Sequence, residues 1–329
     1  MTPVTRKKVL LYAGYGAFFL ASFLLFAYWT FPYGRLRDVL VQEVERPKGP
    51  DGNRRPSGIQ LEIVSLSPSW LTGVELEGVR IVKQPDEPDG NPIEITMEEV
   101  TARVGVLAAL GGTTDVSFDA TVGGGTIEGR YEEGEESTQI ETVIEDVQLR
   151  QLGIMSSLVG LPVAGIVNGE VALTVADDNA QTDGEIGLTI DGLQIGGGQV
   201  PIPGMSSGLT VERIAAGKLE LAMNVEDGVA RIQKLESNGD DLAIEGSGTI
   251  RLMRPLKMSR LDLMLRIAFA DAYRNRSDHT RRLFSAMDFV PDLRAARTPD
   301  GALQWRINGS PGSRVSTTPA GRARQPGGE

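Results

Sequence analysis

Residues 219–228 read LELAMNVEDG, and this stretch carries the pattern that decides the fold. Apolar side chains occupy every second position from Leu219 to Val225, which is the period of a half-buried β-strand. Asp227-Gly228 follows at once, and an Asp-Gly pair between strands is a strong signal for a tight hairpin turn. The stretch therefore predicts a strand that turns back into an antiparallel neighbour.

The same alternation recurs along most of the chain. Further runs lie at 59–63, 74–81, 93–97, 116–122, 140–144, 171–175, 186–190, 250–252, 261–267 and 303–307. Asp-Gly, Asn-Gly or Gly-Gly-Gly sequences separate many of these runs, which favours short turns between antiparallel strands. The sequence thus predicts a mainly β fold, a curved antiparallel sheet with few short helices. Alternation alone leaves open whether there is one sheet or two, and whether the apolar face is a closed core or a groove.

The composition excludes many kinds of chemistry. The 329 residues include 40 Gly, one His and no Cys, so disulfides, thiolate catalysis and Cys-bound zinc are ruled out. The net charge of -11 argues against a nucleic-acid partner, since such binding depends on basic residues. His279 lies among charged neighbours, and we expect it on the surface. We predict no catalytic, cofactor-binding or metal-binding residues, and no enzyme.

An uncharged segment near the N-terminus predicts a membrane anchor. The 26 residues from Val9 to Gly34 carry no charge, and about 20 apolar residues suffice to span a bilayer as a helix. A cleaved signal peptide is disfavoured because the apolar run is long and no small-x-small site closes it. The expected anchor residues include Val9, Leu20, Phe26, Trp29 and Tyr33.

The basic residues before this segment favour a cytoplasmic N-terminus. In a bacterial cell, this orientation predicts a single-pass protein of the inner membrane, with its bulk in the periplasm. The expected division is a cytoplasmic tail at 1–8, a transmembrane anchor at 9–34, a juxtamembrane linker at 35–57, a periplasmic β domain at 58–310 and a disordered tail at 311–329.

Helical signals are few. Short helices are expected within 105–110 and 149–159, and the best candidate is 277–290, with Ser277 or Asp278 as its N-cap and Pro291 ending it. The charge is uneven: residues 254–329 carry 14 basic and 7 acidic side chains, a net +7, which leaves -18 on the rest. Two explanations of this uneven charge stay open: the charged residues form an ordinary solvated surface, or they are complementary in charge to a neighbouring subunit or partner.

One Pro-limited segment is a candidate contact with another protein. Pro201, Ile202, Pro203 and Met205 form an apolar stretch, and Pro in a sheet is confined to edges because it cannot donate to the ladder. The segment reads either as an ordinary connecting loop or as an edge that accepts a partner strand.

Several motifs resemble a known family when taken together. They are SPSWLTGVELEGV at 67–79, LGIMSSLVGLPVAG at 152–165, DGVARIQKLESNGDDLAIEGSG at 227–248 and DGALQWRING at 300–309. In their order and spacing, and with the preceding anchor, they resemble type II secretion system protein N (GspN), in the branch found in deltaproteobacteria. The same patterns are similar to the broader AsmA-like and TamB-like envelope proteins.

The resemblance implies an accessory or assembly component of the type II protein secretion apparatus, with other secretion components as its protein partners. The alternative that it implies is an AsmA-like module that binds or transfers lipid in the cell envelope. AsmA-like β-sheets form an apolar-lined groove, so this reading predicts apolar side chains that no second layer covers.

Overall fold

The computed structural model describes residues 3–49, 52–70, 72–84, 92–105, 113–134, 136–153, 161–176, 181–202, 205–253, 258–311 and 314–321. Strands take up 58% of the chain, so the prediction of a mainly β fold is confirmed. The expected helix at 105–110 and most of the one at 149–159 lie outside the described residues.

Fourteen strands form one antiparallel sheet, and two more form a separate pair. The strands are β1 (Ile59–Ser69), β2 (Gly73–Lys83), β3 (Ile93–Val104), β4 (Thr114–Val122), β5 (Gly125–Glu133), β6 (Ser137–Gln148), β7 (Val163–Ala176), β8 (Asp183–Ile195), β9 (Gly198–Ile202), β10 (Met205–Val211), β11 (Ile214–Glu226), β12 (Val229–Asn238), β13 (Leu242–Arg251), β14 (Arg260–Phe269), β15 (Leu303–Gly309) and β16 (Val315–Pro319). The large sheet is a meander in chain order from β1 to β16, interrupted only by β9 and β10, which pair with each other.

Six helices accompany the sheet in the described part of the chain. They are α1 (Pro3–Thr30), α2 (Tyr33–Glu45), α3 (Leu149–Leu152), α4 (Asp271–Arg274), α5 (Asp278–Met287) and α6 (Pro291–Ala296). No single helix among the described residues has both the length and the apolar content of a membrane span. The segment Gly14–Thr30 and α2, bent by 61° at the break between them, meet these two criteria only together.

Helices α3 to α6 lie at one end of the sheet. β1 begins there and β14 finishes there, and α3, the β9–β10 pair and α4 to α6 all lie in connections at this end. We call it the helix end. The opposite end, called the turn end, carries the alternate connections, from the β1–β2 turn to the β15–β16 turn.

Three features differ from the sequence prediction. The segment 35–57 is not only a linker, because α2 fills 33–45 and Val41 packs against the apolar cluster of β1 and β2. Pro291 does not simply end a helix; it stands in the first turn of α6, where its missing N–H costs nothing. The tail at 311–329 is not wholly disordered, since Val315–Pro319 pair with β15.

The best helix candidate is confirmed with its cap. Ser277 accepts a hydrogen bond from the Thr280 backbone N–H at 3.1 Å, and the Thr280 hydroxyl accepts one from the Ser277 N–H at 3.0 Å. This reciprocal capping box satisfies two backbone donors at the start of α5. It explains why the helix begins at Asp278.

The buried core is divided between two clusters. One lies at the helix end, where Tyr273 and Phe284 of α4 and α5 join residues of α3 and of strands β7, β8, β10, β11, β13 and β14. The other joins Leu61, Ile63 and Val79 beneath Val41 of α2. The first cluster covers the strand ends at the helix end, and the second covers the edge of the sheet at β1 and β2. Neither cluster covers the middle of the central strands.

Candidate functional site

The candidate site is the apolar face of the fourteen-stranded sheet. Successive residues of a strand point to opposite faces, so Leu221 and Ala222 mark the two faces of β11. The pairing register places Leu221 beside Leu188 of β8 and Leu235 of β12. Apolar residues thus stand beside apolar residues across successive strands.

Two rows of cross-strand neighbours run along the middle of this face, and we call them the central apolar rows. The first row, read from β1 to β16, is Leu66, Leu76, Val100, Ala120, Ile127, Ile144, Gly169, Leu188, Leu221, Leu235, Gly246, Leu265, Trp305 and Pro319. The second row is Pro68, Val74, Ala102, Phe118, Gly129, Thr142, Val171, Ile186, Met223, Ile232, Gly248, Leu263, Ile307 and Thr317.

Neither row contains a charged residue, and both cross the whole sheet. Between β12 and β13 the register shifts, and there the rows follow the contact of Leu235 with Gly246 and the position next to the pair Arg231–Thr249. Thirteen spacings of about 4.8 Å make the rows roughly 60 Å long. The only side-chain hydroxyls in them belong to Thr142 and Thr317. The rows therefore form a continuous apolar strip perpendicular to the strands.

Most of the strip lies outside the two core clusters. Only Leu76 and Val100 of the rows belong to the cluster under α2, and none belongs to the cluster at the helix end. The large side chains of the strip, such as Leu188, Leu221 and Trp305, are half-buried. Among the described residues, no second sheet and no helix packs across the middle of the strip.

Glycines in the rows allow neighbouring side chains to lie flat on the sheet. A Cβ placed on Gly129 would lie 2.3 Å from Cζ of Phe118, and one on Gly246 would lie 2.3 Å from Cδ2 of Leu235. A Cβ placed on Gly169 would likewise lie 2.4 Å from Cδ2 of Leu188. The large side chains of the rows therefore occupy the space above these glycines.

The opposite face is charged and held by ion pairs between strands. Arg80 of β2 reaches Glu94 of β3 at 2.7 Å, and Arg130 of β5 reaches Asp115 of β4 at 2.9 Å. Hydrogen bonds from these guanidinium groups lower the pKa of Glu94 and of Asp115. Lys234 lowers the pKa of Glu220 by the same means.

Two surface depressions lie on this charged face, and another of about 540 Å³ lies between α2 and β1. The first, of about 630 Å³, is lined by Arg103, Asp119, Arg130 and Glu141, among others. The second, of about 510 Å³, lies over Gly187 and Ala222. These two are gaps between long charged side chains above small residues, and Arg130 in the first forms an ion pair with Asp115. Among the described residues, no group of three or more acidic or His side chains is arranged to hold a metal ion.

The predicted anchor residues lie on two helices. Val9, Leu20, Phe26 and Trp29 belong to α1, and Tyr33 begins α2. The side chains of Leu20, Phe26 and Trp29 are exposed, whereas Tyr33 is half-buried with its ring centroid 4.9 Å from that of Phe31. The expected C-terminal boundary of the anchor, residue 34, thus lies just after the break between α1 and α2 at Phe31-Pro32.

The predicted partner edge forms part of the separate two-stranded sheet. Pro201 and Ile202 belong to β9, Met205 belongs to β10, and Ile202 pairs with Met205. Pro203 lies outside the described residues. Among the described strands, β9 and β10 pair only with each other.

Sequence patterns indicated the apolar face but not its extent. Most residues of the rows belong to alternating runs, yet β5, β9, β10 and β16 were not recognised as strands. Gly129, Gly169 and Gly246 carry no apolar signal of their own, although each continues a row. The signal that would reveal them is an interior strand glycine opposite a large apolar residue, and it requires the pairing register.

Comparison with known proteins returns no relative: the chain matches no family model, no curated protein sequence and no solved structure.

Proposed function

We propose that the protein is an anchored protein of the bacterial cell envelope whose central apolar rows hold the acyl chains of membrane lipids. The observation that carries this proposal is the continuous apolar strip, which crosses fourteen strands. Among the described residues it has no covering layer beyond Leu76 and Val100, which belong to the cluster under α2.

The chemistry of the strip suits acyl chains. Contiguous apolar patches larger than a few hundred Å² are uncommon on soluble monomers and mark an interaction site. An acyl chain needs no hydrogen-bonding partner, and the strip offers almost none, since Thr142 and Thr317 are its only side-chain hydroxyls. Each methylene removed from water stabilises the complex by about 0.8 kcal/mol.

The anchor is part of the same proposal. Phe18, Phe19, Phe23 and Phe26 are all exposed on α1, and their positions cover more than one side of the helix. A helix that is apolar all round is stable when it is surrounded by apolar material, which lipid provides. Basic residues at 6–8 favour a cytoplasmic N-terminus, which supports a periplasmic position for the sheet.

α2 connects the anchor to the strip. Val41 packs against the cluster of Leu61, Ile63 and Val79, to which Leu76 and Val100 of the first row also belong. The apolar surface of α1 is therefore followed along the chain by a helix that meets the strip at β1. This arrangement supports passage of a lipid from the anchoring membrane onto the sheet.

A charge on the strip tests the proposal. We expect Leu221→Glu to reduce the phospholipid that co-purifies with the detergent-extracted full chain at least roughly tenfold, because an unpaired carboxylate against acyl chains costs several kcal/mol. Ala222→Glu introduces the same group one residue away, on the charged face beside Lys234. It should leave the lipid content unchanged, as measured by mass spectrometry of the organic extract.

Equal lipid content in the two variants, with both folded by circular dichroism, would contradict lipid binding on this face.

A second candidate is an accessory component of the type II secretion apparatus. It is favoured by the four sequence motifs, which fall on structural units: the β1–β2 hairpin, the passage from α3 to β7, the β12–β13 hairpin and β15. In this case the partner is another secretion component. Deleting the gene should reduce export of folded periplasmic proteins, and unchanged export would count against this candidate.

A further inference from the structure

Trp70 stands at the tip of the β1–β2 hairpin and is open to solvent. Its side chain is 79% exposed, and its backbone has φ +53°. A bulky residue in the left-handed region costs about 1 kcal/mol or more. The hairpin thus holds a large aromatic ring outward at a cost in stability.

The hairpin that carries Trp70 has no charged residue of its own. The sequence SPSWLTGV at 67–74 contains neither an acidic nor a basic side chain. Val104 is also exposed, and its N–H donates to the Thr72 carbonyl at 3.2 Å, which places it at the same tip. The charged neighbour on the adjacent strand is basic, since Arg103 pairs with Gly73. An indole, an aliphatic side chain and a basic residue at one tip have the composition of a membrane-interface contact.

The path of α2 shows where this tip lies relative to the anchor. The end of α2 lies beside the start of β1, because the Leu61 N–H donates to the Glu45 carboxylate at 3.3 Å and the Ser57 N–H donates to the Glu45 carbonyl at 2.8 Å. Val41, one turn earlier in α2, packs against the cluster of β1 and β2. α2 therefore runs antiparallel to β1, so that Tyr33 lies toward the turn end, the end that carries Trp70.

Tyr33, at the start of α2, and Trp70 lie at similar levels along β1. At about 1.5 Å per helical residue and 3.3 Å per strand residue, Tyr33 lies beside Leu66 or Ser67, and Trp70 lies about 10 Å beyond. Since α2 begins at Tyr33, directly after α1 and the break at Phe31-Pro32, Trp70 lies at the same end of the sheet as the junction of α1 and α2.

We propose that Trp70 inserts into the lipid interface of the same membrane that α1 enters, and so gives the sheet a second point of attachment. The proposal rests on the anchor proposed above. Two contacts, one through α1 and one through Trp70, hold the β1 margin of the strip against the membrane. The strip then extends from the lipid surface at β1 toward β16.

Tryptophan fluorescence tests this contact. The chain has three Trp residues, so Trp29→Phe with Trp305→Phe leaves Trp70 as the only emitter. In vesicles of phosphatidylethanolamine and phosphatidylglycerol, we expect Trp70 to emit at a shorter wavelength than a solvent-exposed indole that acrylamide can reach. Lipids brominated near the headgroup should quench it.

A separate variant reports on the anchor. With Trp70→Phe and Trp305→Phe, Trp29 is the only emitter, and its quenching by the same lipids shows that α1 is inserted. Quenching of Trp29 without quenching of Trp70 would overturn the second contact while leaving the anchor in place. Absence of quenching for both would overturn both proposals.

Phe289 provides the matched control. It is 86% exposed in the connection between α5 and α6, at the helix end and far from Trp70. Phe289→Trp, made with all three native Trp residues replaced by Phe, should remain accessible to acrylamide and unquenched by brominated lipid. Equal quenching at positions 289 and 70 would show non-specific adsorption and would overturn the proposal.

Discussion

Gly184 shows how a single residue constrains the sheet. It has φ +152°, and a Cβ placed on it would lie 2.1 Å from the backbone oxygen of Ala172 on the neighbouring strand. Since that oxygen belongs to the ladder between β7 and β8, it has no room to move. We expect Gly184→Ala to lower the free energy of unfolding by about 2 kcal/mol or more, measured by denaturant titration in detergent.

Gly187, three residues further along β8, is the matched control. No heavy atom lies within 4 Å of a Cβ placed there, and its φ is an ordinary one. Gly187→Ala should change the free energy of unfolding by no more than about 1 kcal/mol. A similar loss in both variants would show that the close approach of β7 to Gly184 does not exist.

The sequence identified the glycines of turns better than those of strands. Gly123 and Gly124 form the predicted turn between β4 and β5, and both have positive φ. Gly169 and Gly246, in contrast, lie inside strands beneath Leu188 and Leu235. Their role depends on cross-strand register, which local sequence does not encode, and this is why the extent of the strip was not predictable.

At the scale of elements, an ion pair fastens the helices that close the helix end. The Asp241 side chain is only 5% exposed; one of its oxygens pairs with Arg276 and the other accepts from the Ala215 N–H at 2.9 Å. The Arg276 guanidinium also lies over the Tyr273 ring, 4.9 Å from its centroid. The turn before β13, strand β11 and the segment after α4 are thereby joined.

Removing the carboxylate tests this junction. Asp241→Ala leaves a charge and a backbone donor without their partner, so we expect the free energy of unfolding to fall by about 2 kcal/mol. Lys234→Met breaks an ion pair with Glu220 on the charged face and should cost no more than about 1 kcal/mol, because Lys234 is exposed and Glu220 is only half-buried. An Asp241→Ala loss as small as that of Lys234→Met would contradict the fastening role.

The charged face also predicts how stability varies with pH. The partners of Glu94, Asp115 and Glu220 lower the pKa of each carboxyl, so the folded state favours the ionised form. This contribution is fully present above the ordinary carboxyl pKa of about 4 and is lost as the pH falls through the lowered values. We expect the free energy of unfolding to decrease modestly below about pH 4, and an increase on acidification would contradict the pairing.

The elements were predictable to different degrees. Ser277 was predicted as an N-cap and is one, because the capping box is a local pattern. α2 was missed, since its apolar residues follow the break at Phe31-Pro32 and precede a linker rich in Pro and Gly. β16 was missed as well: Val315–Pro319 gain their structure by pairing with β15, and the segment has little apolar pattern of its own.

At the scale of the molecule, the meander follows from the sequence but the open face does not. Alternating runs with short turns favour pairing between neighbours in the chain, and the order of the fourteen strands agrees with this. A closed core and an open groove require the same alternation, so the uncovered strip emerges only from the arrangement of the whole sheet. The proposed lipid function rests on that arrangement.

Photo-crosslinking at two adjacent positions tests the lipid proposal most directly. A benzophenone amino acid replaces Leu221, on the central apolar rows, or Ala222, on the charged face of the same strand, in the full chain expressed in cells with radiolabelled phospholipid. The account predicts a labelled lipid adduct at position 221 and none at position 222. No lipid adduct at position 221, or equal adducts at the two positions, would contradict it.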